Sequence, residues 1–268
     1  SVRTIDEDQD ANGADPGKDA GDVTIKPEIT LADLDFLKPS TVTENGRSIV
    51  AVPLESDPTG SFAFVLPRGA NPKQYTDFAT FLAGSGWKAT LYPEPVTNEL
   101  LESEHTPDQC TVIGGLGGVG KPVLDYGYQR RGSVDGAILV GFVREDSDPY
   151  KKKLPIVLIS GEQDRVAPYD EMAAQYSIYP AQTYLLKIGE ANHSGYYDAV
   201  EFDEDGQAQV TPAHQRLILA EVISNMMDRL CLSRETKLAD EARAAERERQ
   251  RQLENGDAPP NADGIKQQ

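Results

Sequence analysis

The chain has 268 residues, a formal net charge of −18 and a hydrophobic fraction of 38%. This length holds one ordinary domain with tails or two small domains, and the low hydrophobic fraction predicts that part of the chain stays outside a core. The strong negative charge argues against nucleic-acid partners and anionic membrane surfaces, because an acidic protein repels phosphate groups. No apolar run reaches the roughly 18 residues that a membrane helix needs, so no transmembrane segment is predicted.

The N-terminal residues 1–30 are expected to be disordered. Acidic side chains stand there among glycines and small polar residues, with almost nothing apolar to bury. They are Asp6, Glu7, Asp8, Asp10, Asp15, Asp19 and Asp22. The first residue, Ser1, is not a methionine, which slightly favours an exported protein over a cytoplasmic one and leaves the compartment open.

The folded domain is predicted over residues 31–232, with short strands alternating with helical stretches. Continuous apolar, β-branched runs such as DGAILVG and LPIVLIS are typical of parallel strands buried on both faces. The alternation predicts the α/β class, with a mostly parallel sheet and helices on both faces. The predicted strands are residues 48–54, 61–66, 88–92, 110–113, 135–141, 154–160 and 183–188, and the predicted helices are residues 74–85 and 212–232.

The C-terminal residues 233–268 are predicted to form a charged helical extension with a frayed tail. Alanine, glutamate and arginine dominate residues 233–254 without an apolar face, a pattern typical of a solvated helix. This helix and the acidic N-terminal segment are the surfaces expected to meet a protein partner.

Cysteine and histidine usage gives little information on chemistry. Cys110 and Cys231 lie far apart in the sequence, so two free thiols and one bridge both stay open. The three histidines have no metal-ligand spacing with cysteine or acidic residues. No metal site and no cofactor are predicted.

The segment GGLGGVG, which follows a predicted strand, matches two nucleotide-binding patterns imperfectly. In the dinucleotide pattern G-x-G-x-x-G, the acid expected about 20 residues later is Asp135, which begins its strand instead of ending it. In the phosphate-binding pattern G-x-x-x-x-G-K-[ST], Gly115 and Lys121 fit, but Pro122 replaces the hydroxyl residue and withdraws a backbone N–H. A P-loop-like nucleotide binder using residues 115–121 is therefore the second alternative function.

A third interpretation of the glycine segment comes from the residues around it. Downstream lie LPIVLISGEQD and ANHSGY; upstream lie FVLPRGANPKQYTDFATFLAGSGW and TPDQCTVIGG, and VDGAILVG follows the glycines. In this order, from about residue 62 to residue 223, the chain resembles the α/β-hydrolase superfamily, particularly its small dienelactone-hydrolase-like branch. In that family the glycine segment is the nucleophile elbow, the strand-to-helix turn that carries the catalytic nucleophile.

The resemblance implies a set of site positions at the carboxyl edge of the sheet. Asp164 takes the position of the catalytic acid and His193 that of the base. The ligand-binding positions implied by the first oxyanion loop and the elbow are Arg68, Gly69, Leu116 and Gly118. The purely structural alternatives are that Asp164 caps a turn and that His193 packs on neighbouring tyrosines.

The elbow departs from the family pattern G-G-H-S-x-G-G at the residue that matters most. Gly117 stands at the nucleophilic serine, and Val119 stands at a glycine, where a β-branched residue is expected to strain the turn. Cys110 begins its strand, so it is expected at the wrong edge to replace the serine. The connection between the strands at 88–92 and 110–113 is also too short for the full helix that the family has.

Without a side-chain oxygen at residue 117, the base has only water to deprotonate. The sequence therefore predicts a catalytically degenerate α/β-hydrolase-fold protein that acts as a binding or structural component, with room for a small molecule in the vestigial pocket. The alternative is an ester hydrolase that uses His193 and Asp164 with water or with an unidentified nucleophile.

Overall fold

The computed structural model describes residues 23–25, 40–46, 48–106, 108–130, 132–144, 154–197 and 200–254. The strands in these ranges are β1 (Val23–Ile25), β2 (Ser40–Asn45), β3 (Ser48–Pro53), β4 (Gly60–Leu66), β5 (Trp87–Pro93), β6 (Cys110–Leu116), β7 (Gly136–Val140), β8 (Ile156–Gly161) and β9 (Thr183–Ile188). The α-helices are α1 (Thr76–Gly84), α2 (Asn98–Glu102), α3 (Gly120–Gln129), α4 (Tyr169–Ala174) and α5 (Pro212–Glu254).

The described strands form one sheet in the order β1-β9-β8-β7-β6-β4-β5-β3-β2. All neighbouring pairs from β1 to β5 are parallel, whereas β3 is antiparallel to both β5 and β2. Strand β3 is thus the one described strand that runs against the others. This is the mostly parallel, α/β-hydrolase-like sheet that the sequence predicts.

Both faces of the sheet are covered by helices, because its central strands are apolar on both sides. Every residue of β4, β6, β7 and β8 is buried. One core cluster joins the sheet to α1 and α5 through residues such as Phe78 and Leu217. The other joins it to α3 and α4 through residues such as Leu124 and Met172. The predicted helices on both faces are confirmed.

The helix predicted over residues 74–85 begins slightly earlier and has two parts. A 3-10 turn, Pro72–Tyr75, precedes α1, and the Asn71 side chain caps it by accepting a hydrogen bond from the Lys73 backbone N–H at 3.2 Å. Proline at the first position suits a helix start, because its missing N–H would have no partner there.

Helix α5 runs without a break through the boundary predicted at residue 232. Residues 213–254 contain neither proline nor glycine, so nothing in the sequence ends the helix there. Its first part packs on the sheet, with Leu217, Ile223 and Met227 fully buried. Beyond Cys231 the described side chains are exposed, as a solvated extension requires. None of the described helices is long and apolar enough to cross a membrane.

The N-terminal part departs from the sequence prediction at two strands. Three residues of the segment predicted to be disordered, Val23–Ile25, pair in parallel with β9, so for them that prediction is wrong. Strand β2 forms a hairpin with β3 around a turn at Gly46, which has φ +62°. Both strands lie at the ends of the sheet; β1 has only three residues and half of β2 is exposed, so pattern reasoning missed them. The remainder of residues 1–30 and residues 255–268 lie outside the described ranges.

A disulfide joins Cys110, the first residue of β6, to Cys231 in α5. Their Cα atoms are 5.8 Å apart, and 121 positions separate them in the sequence. The bridge decides between the two alternatives that the sequence left open. It also places Cys110 at the amino end of its strand, as predicted, away from the edge where the candidate site lies.

A buried carboxylate organises the short connection between β5 and β6. This connection holds only the five-residue helix α2, in agreement with the prediction that a full helix does not fit. Just after α2, the Glu104 carboxylate accepts hydrogen bonds from the hydroxyls of Tyr92 and Thr90 and pairs with the Lys88 ammonium at 2.9 Å. Glu104 is 5% exposed, so this cluster ties the connection to β5. Sequence reasoning did not find it.

Candidate functional site

The residues that the sequence singled out follow different parallel strands and therefore meet at one edge of the sheet. Gly117 comes directly after β6, Asp164 follows β8, and His193 follows β9. Arg68 and Gly69 follow β4. Because these strands are parallel neighbours or near neighbours, their carboxyl ends share the edge at which α/β proteins form their sites.

Asp164 and His193 form a buried pair. The Asp164 Oδ2 atom lies 2.9 Å from the His193 Nδ1 atom, and the two residues are 4% and 3% exposed. The Asp164 Oδ1 atom accepts hydrogen bonds from the backbone N–H groups of Val166 and Ala167, at 3.0 and 2.7 Å. One carboxylate oxygen thus caps the turn after β8, and the other orients the imidazole. With Nδ1–H donating to Asp164, Nε2 is the ring nitrogen left to accept a proton.

Aromatic rings enclose the imidazole. The His193 ring stacks on Tyr197 with centroids 5.0 Å apart and meets Phe202 edge-to-face at 4.7 Å. Gly141, at φ +56°, supports the other side: a Cβ added there would lie 2.8 Å from the His193 Cε1 atom. The structural alternative for His193, packing on a neighbouring tyrosine, therefore holds together with its contact to Asp164.

The turn after β6 is a tight strand-to-helix connection that begins with a glycine. Strand β6 ends at Leu116, a single 3-10 turn (Gly117–Val119) follows, and α3 begins at Gly120. Gly117 has φ +64°, a left-handed conformation that favours glycine. Val119 has φ −77°, so the strain expected of this β-branched residue is absent and that prediction is wrong. Gly117 alone supplies the positive φ of the turn.

The space beside Gly117 is filled by another residue. A Cβ atom added to Gly117 would overlap the hydroxyl of Tyr197, whose ring lies against His193. Tyr197 is 9% exposed. Burial, and then the negative charge of Asp164, raises the pKa of Tyr197, so its hydroxyl stays protonated at neutral pH. Sequence reasoning missed this contact, because nothing in ANHSGYY indicates where the second tyrosine points.

The four residues expected to bind a ligand differ in their accessibility. The Arg68 side chain is 75% exposed and has a long 3.9 Å pair with Glu94. Gly69, at φ +86°, and the exposed Gly118 have open space around them. Leu116 is 1% exposed and lies in the core, so its side chain is not available to a ligand.

The phosphate-loop pattern falls on backbone that is already in regular structure. Gly115 lies within β6, Lys121 lies within α3, and only three residues separate the strand from the helix. The Lys121 ammonium pairs with Asp125 at 3.0 Å. Among the described residues no cluster of histidine, cysteine and acidic side chains is suited to hold a metal ion.

Sheet order and helix placement together define an α/β-hydrolase-like fold. No family model and no curated protein sequence matches the chain. Among solved structures, the chain is similar to one described as a predicted CIB-like hydrolase from Thermoplasma acidophilum, with a TM-score of 0.46, 14% identity, and coverage of 70% of this chain and 98% of that one. It is also similar to the esterase domain of a Rhodothermus marinus protein, with a TM-score of 0.47, 11% identity, and coverage of 71% and 98%. The fold assignment rests on the strand order itself.

Proposed function

We propose that this protein is a catalytically inactive α/β-hydrolase-fold protein that acts as a binding or structural component. The observation that carries the proposal is the composition of the elbow: Gly117 stands at its tip, and the Tyr197 hydroxyl takes the space of the missing side chain. In this proposal Asp164 and His193 hold the acid and base positions of a dienelactone-hydrolase-like ancestor, and Gly117 holds the position of its serine.

The chemistry of hydrolysis explains why this one change is decisive. In such sites the base removes a proton from a hydroxyl that attacks the substrate carbonyl. Loss of the nucleophile leaves only about 10³–10⁴-fold acceleration over water in a comparable triad enzyme. The Tyr197 hydroxyl does not replace it, because burial and the nearby Asp164 raise the pKa of this phenol, and a neutral phenol is a poor nucleophile.

The retained acid–base pair has a structural use that needs no catalysis. Through Asp164 it connects the turn after β8 to His193 in the loop after β9. Both groups are buried, so removing either one leaves the other without its partner, at a cost of roughly 1–3 kcal/mol. The contribution of the Asp164–His193 pair to folding stability is therefore a sufficient reason for both residues to be present without catalysis.

The binding role has two candidate surfaces. For a small molecule, Gly69 and Gly118 leave open backbone at the carboxyl edge. For a protein partner, the exposed second part of α5 and the acidic N-terminal segment are the proposed contacts. We favour the protein partner, because the described side chains of α5 beyond Cys231 contribute nothing to the core.

Ester turnover tests the proposal directly. We expect the wild-type protein to hydrolyse p-nitrophenyl acetate no faster, within about twofold, than the His193→Ala variant, since a difference of 1.4 kcal/mol in barrier would already give tenfold. His214→Ala, which changes a histidine in the first turn of α5, is the matched control. A rate that falls by about a hundredfold in His193→Ala but not in His214→Ala would establish the hydrolase alternative instead.

A further inference from the structure

A cavity of about 500 Å³ lies between the loop that follows β9 and the first turns of α5. We propose that it binds a small carboxylate with an aromatic or branched apolar tail. Tyr197 and Phe202 line its wall, and Arg216 of α5 reaches into the lining. The volume falls within the roughly 300–1,000 Å³ typical of small-molecule sites, so one compact ligand fits.

Arg216 supplies the group that recognises the carboxylate. Its Nη1 donates to the backbone carbonyls of Gly195 and Tyr197, at 3.4 and 3.2 Å, and its guanidinium lies 5.2 Å from the centre of the Tyr75 ring. These contacts fix the plane of the guanidinium. Within the described part of the chain, Nε and Nη2 make no hydrogen bond, so two adjacent donors remain. Such a planar pair of donors matches the two oxygens of a carboxylate.

The two carboxylates that line the cavity, Asp205 and Glu201, form no ion pair with Arg216 among the described residues, so its guanidinium stays available to a ligand. Both oxygens of Asp205 are already engaged: Oδ2 accepts from the N–H and the hydroxyl of Ser194, and Oδ1 accepts from the N–H groups of Arg165 and Gly206. The other carboxylate, Glu201, is exposed to solvent, where its charge is screened.

The N-terminal end of α5 lies beside the cavity and adds positive potential next to Arg216. Pro212 lines the cavity and begins α5, whose first turn contains no acidic residue. The N-terminal end of a helix carries partial positive charge, so it supports Arg216 in attracting an anion.

The apolar residues that line the cavity determine which tail the ligand carries. Apart from its polar groups, the cavity is bordered by the rings of Tyr197 and Phe202 and by Val200 and Val210. The two rings meet edge-to-face with centroids 5.1 Å apart, which leaves a defined apolar wall for a flat or branched group. A carboxylate on Arg216 and an apolar tail on this wall together describe the ligand class.

Binding to the full chain is measured by calorimetry with three probes of one shape: phenylacetate, 2-phenylethanol and phenethylammonium. We expect phenylacetate to bind at least about tenfold more tightly than either of the others, because only it pairs with the guanidinium. Arg216→Gln is expected to weaken phenylacetate binding by about tenfold or more. Arg165→Gln removes the same charge from an exposed side chain outside the lining and is expected to leave the affinity within about twofold.

A second variant keeps the proposal testable if Arg216→Gln does not fold, as judged by circular dichroism. Ala208→Trp fills the cavity without changing any charge, and we expect it to abolish phenylacetate binding. The proposal is overturned if phenylacetate shows no saturable binding, if the alcohol binds equally well, or if Ala208→Trp binds like the wild type. Because this assay measures binding at a site other than Gly117, its failure leaves the proposed function intact, and ester turnover would not affect its result.

Discussion

Tyr197 and residue 117 compete for one volume at the carboxyl edge of the sheet. With glycine at 117 the hydroxyl of Tyr197 fits, and with any larger residue it must move. The elbow and the tyrosine therefore form a matched pair, in which the positive φ of Gly117 is compatible with the turn and the phenol closes the gap. The small size of Gly117 leaves room for the Tyr197 hydroxyl, and that hydroxyl fills the space that a side chain at residue 117 would otherwise occupy.

Placing a nucleophile at residue 117, as the proposed function suggests, therefore requires two changes. We expect Gly117→Ser alone to lower stability, because its Cβ overlaps the Tyr197 hydroxyl and because a non-glycine residue at φ +64° costs about 1 kcal/mol. We expect Gly117→Ser with Tyr197→Ala to gain p-nitrophenyl acetate turnover over the wild type by about tenfold or more, since a hydroxyl then stands where the base operates.

The control for this gain is the triple variant that also carries His193→Ala, which should return turnover to the wild-type level. If the triple variant keeps the gain, the new serine works without His193, and the proposed base position is incorrect.

Asp205 provides a pH-dependent prediction at the same scale. Burial opposes its ionisation, but hydrogen bonds from Ser194, and then from Arg165, outweigh burial and lower the pKa of Asp205 below its ordinary value. A carboxyl whose pKa is lower in the folded state stabilises the fold above its unfolded pKa of about 4, and this contribution disappears as the pH falls through the folded value.

We therefore expect Asp205→Asn to lower the free energy of unfolding by roughly 1–3 kcal/mol at pH 7 and by much less at pH 3, as measured by urea denaturation. The exposed neighbour Asp203→Asn should have little effect at either pH. Equal losses at pH 3 and pH 7 would show that the charge of Asp205 is not what stabilises the loop.

At the scale of elements, the disulfide fixes helix α5 to the sheet. It connects the first residue of the central strand β6 to the end of the packed part of α5, across 121 positions. Constraining so long a loop restricts the unfolded chain strongly, and such bridges persist in oxidising compartments.

Replacing both cysteines with serine is expected to lower the free energy of unfolding by roughly 2–5 kcal/mol. Chemical denaturation of the variant, and of the wild type with and without reductant, measures this difference. If wild type and variant unfold at the same denaturant concentration under oxidising conditions, the bridge does not stabilise the fold.

The central parallel strands were predictable because their burial is visible in the local sequence pattern. Strands such as β7 and β8 contain runs of four or five apolar residues and are buried throughout, and two-sided burial favours such a pattern. The edge strands β1 and β2 lack it, since one is three residues long and the other is half exposed. Their pairing comes from tertiary contacts that a single sequence does not display.

The candidate site was likewise predictable only in part. That Asp164 and His193 would meet follows from strand ends that share one edge of the sheet. That Glu104 would be buried beside Tyr92, or that Tyr197 would occupy the space at Gly117, depends on side-chain packing between segments distant in the sequence. No local pattern encodes such contacts.

At the scale of the whole molecule, we expect the folded domain and its charged extension to contribute separately to stability. The packed part of α5 ends near Cys231, and the described side chains after it face solvent. The net charge of −18 predicts repulsion of polyanions. In the proposed function this exposed part of α5 is the surface that contacts another protein.

Deleting residues 233–268 tests this separation. We expect the free energy of unfolding to change by no more than about 0.5 kcal/mol, because surface changes away from packed residues are nearly neutral. Deletion from residue 228 onward serves as the control and should be strongly destabilising, since it removes the buried Leu230 and the bridged Cys231. A loss of several kcal/mol in the shorter deletion would show that the extension packs on the domain.

The proposal that the site lacks a nucleophile is tested most directly by covalent labelling. The wild-type protein is incubated with a fluorophosphonate, which reacts with activated hydroxyl groups, and its intact mass is measured under conditions that fully label an active serine esterase. We predict an unchanged mass, because Gly117 has no oxygen and the phenol of Tyr197 stays protonated. A stoichiometric adduct that is lost in the His193→Ala variant would contradict this prediction and identify a working hydrolase.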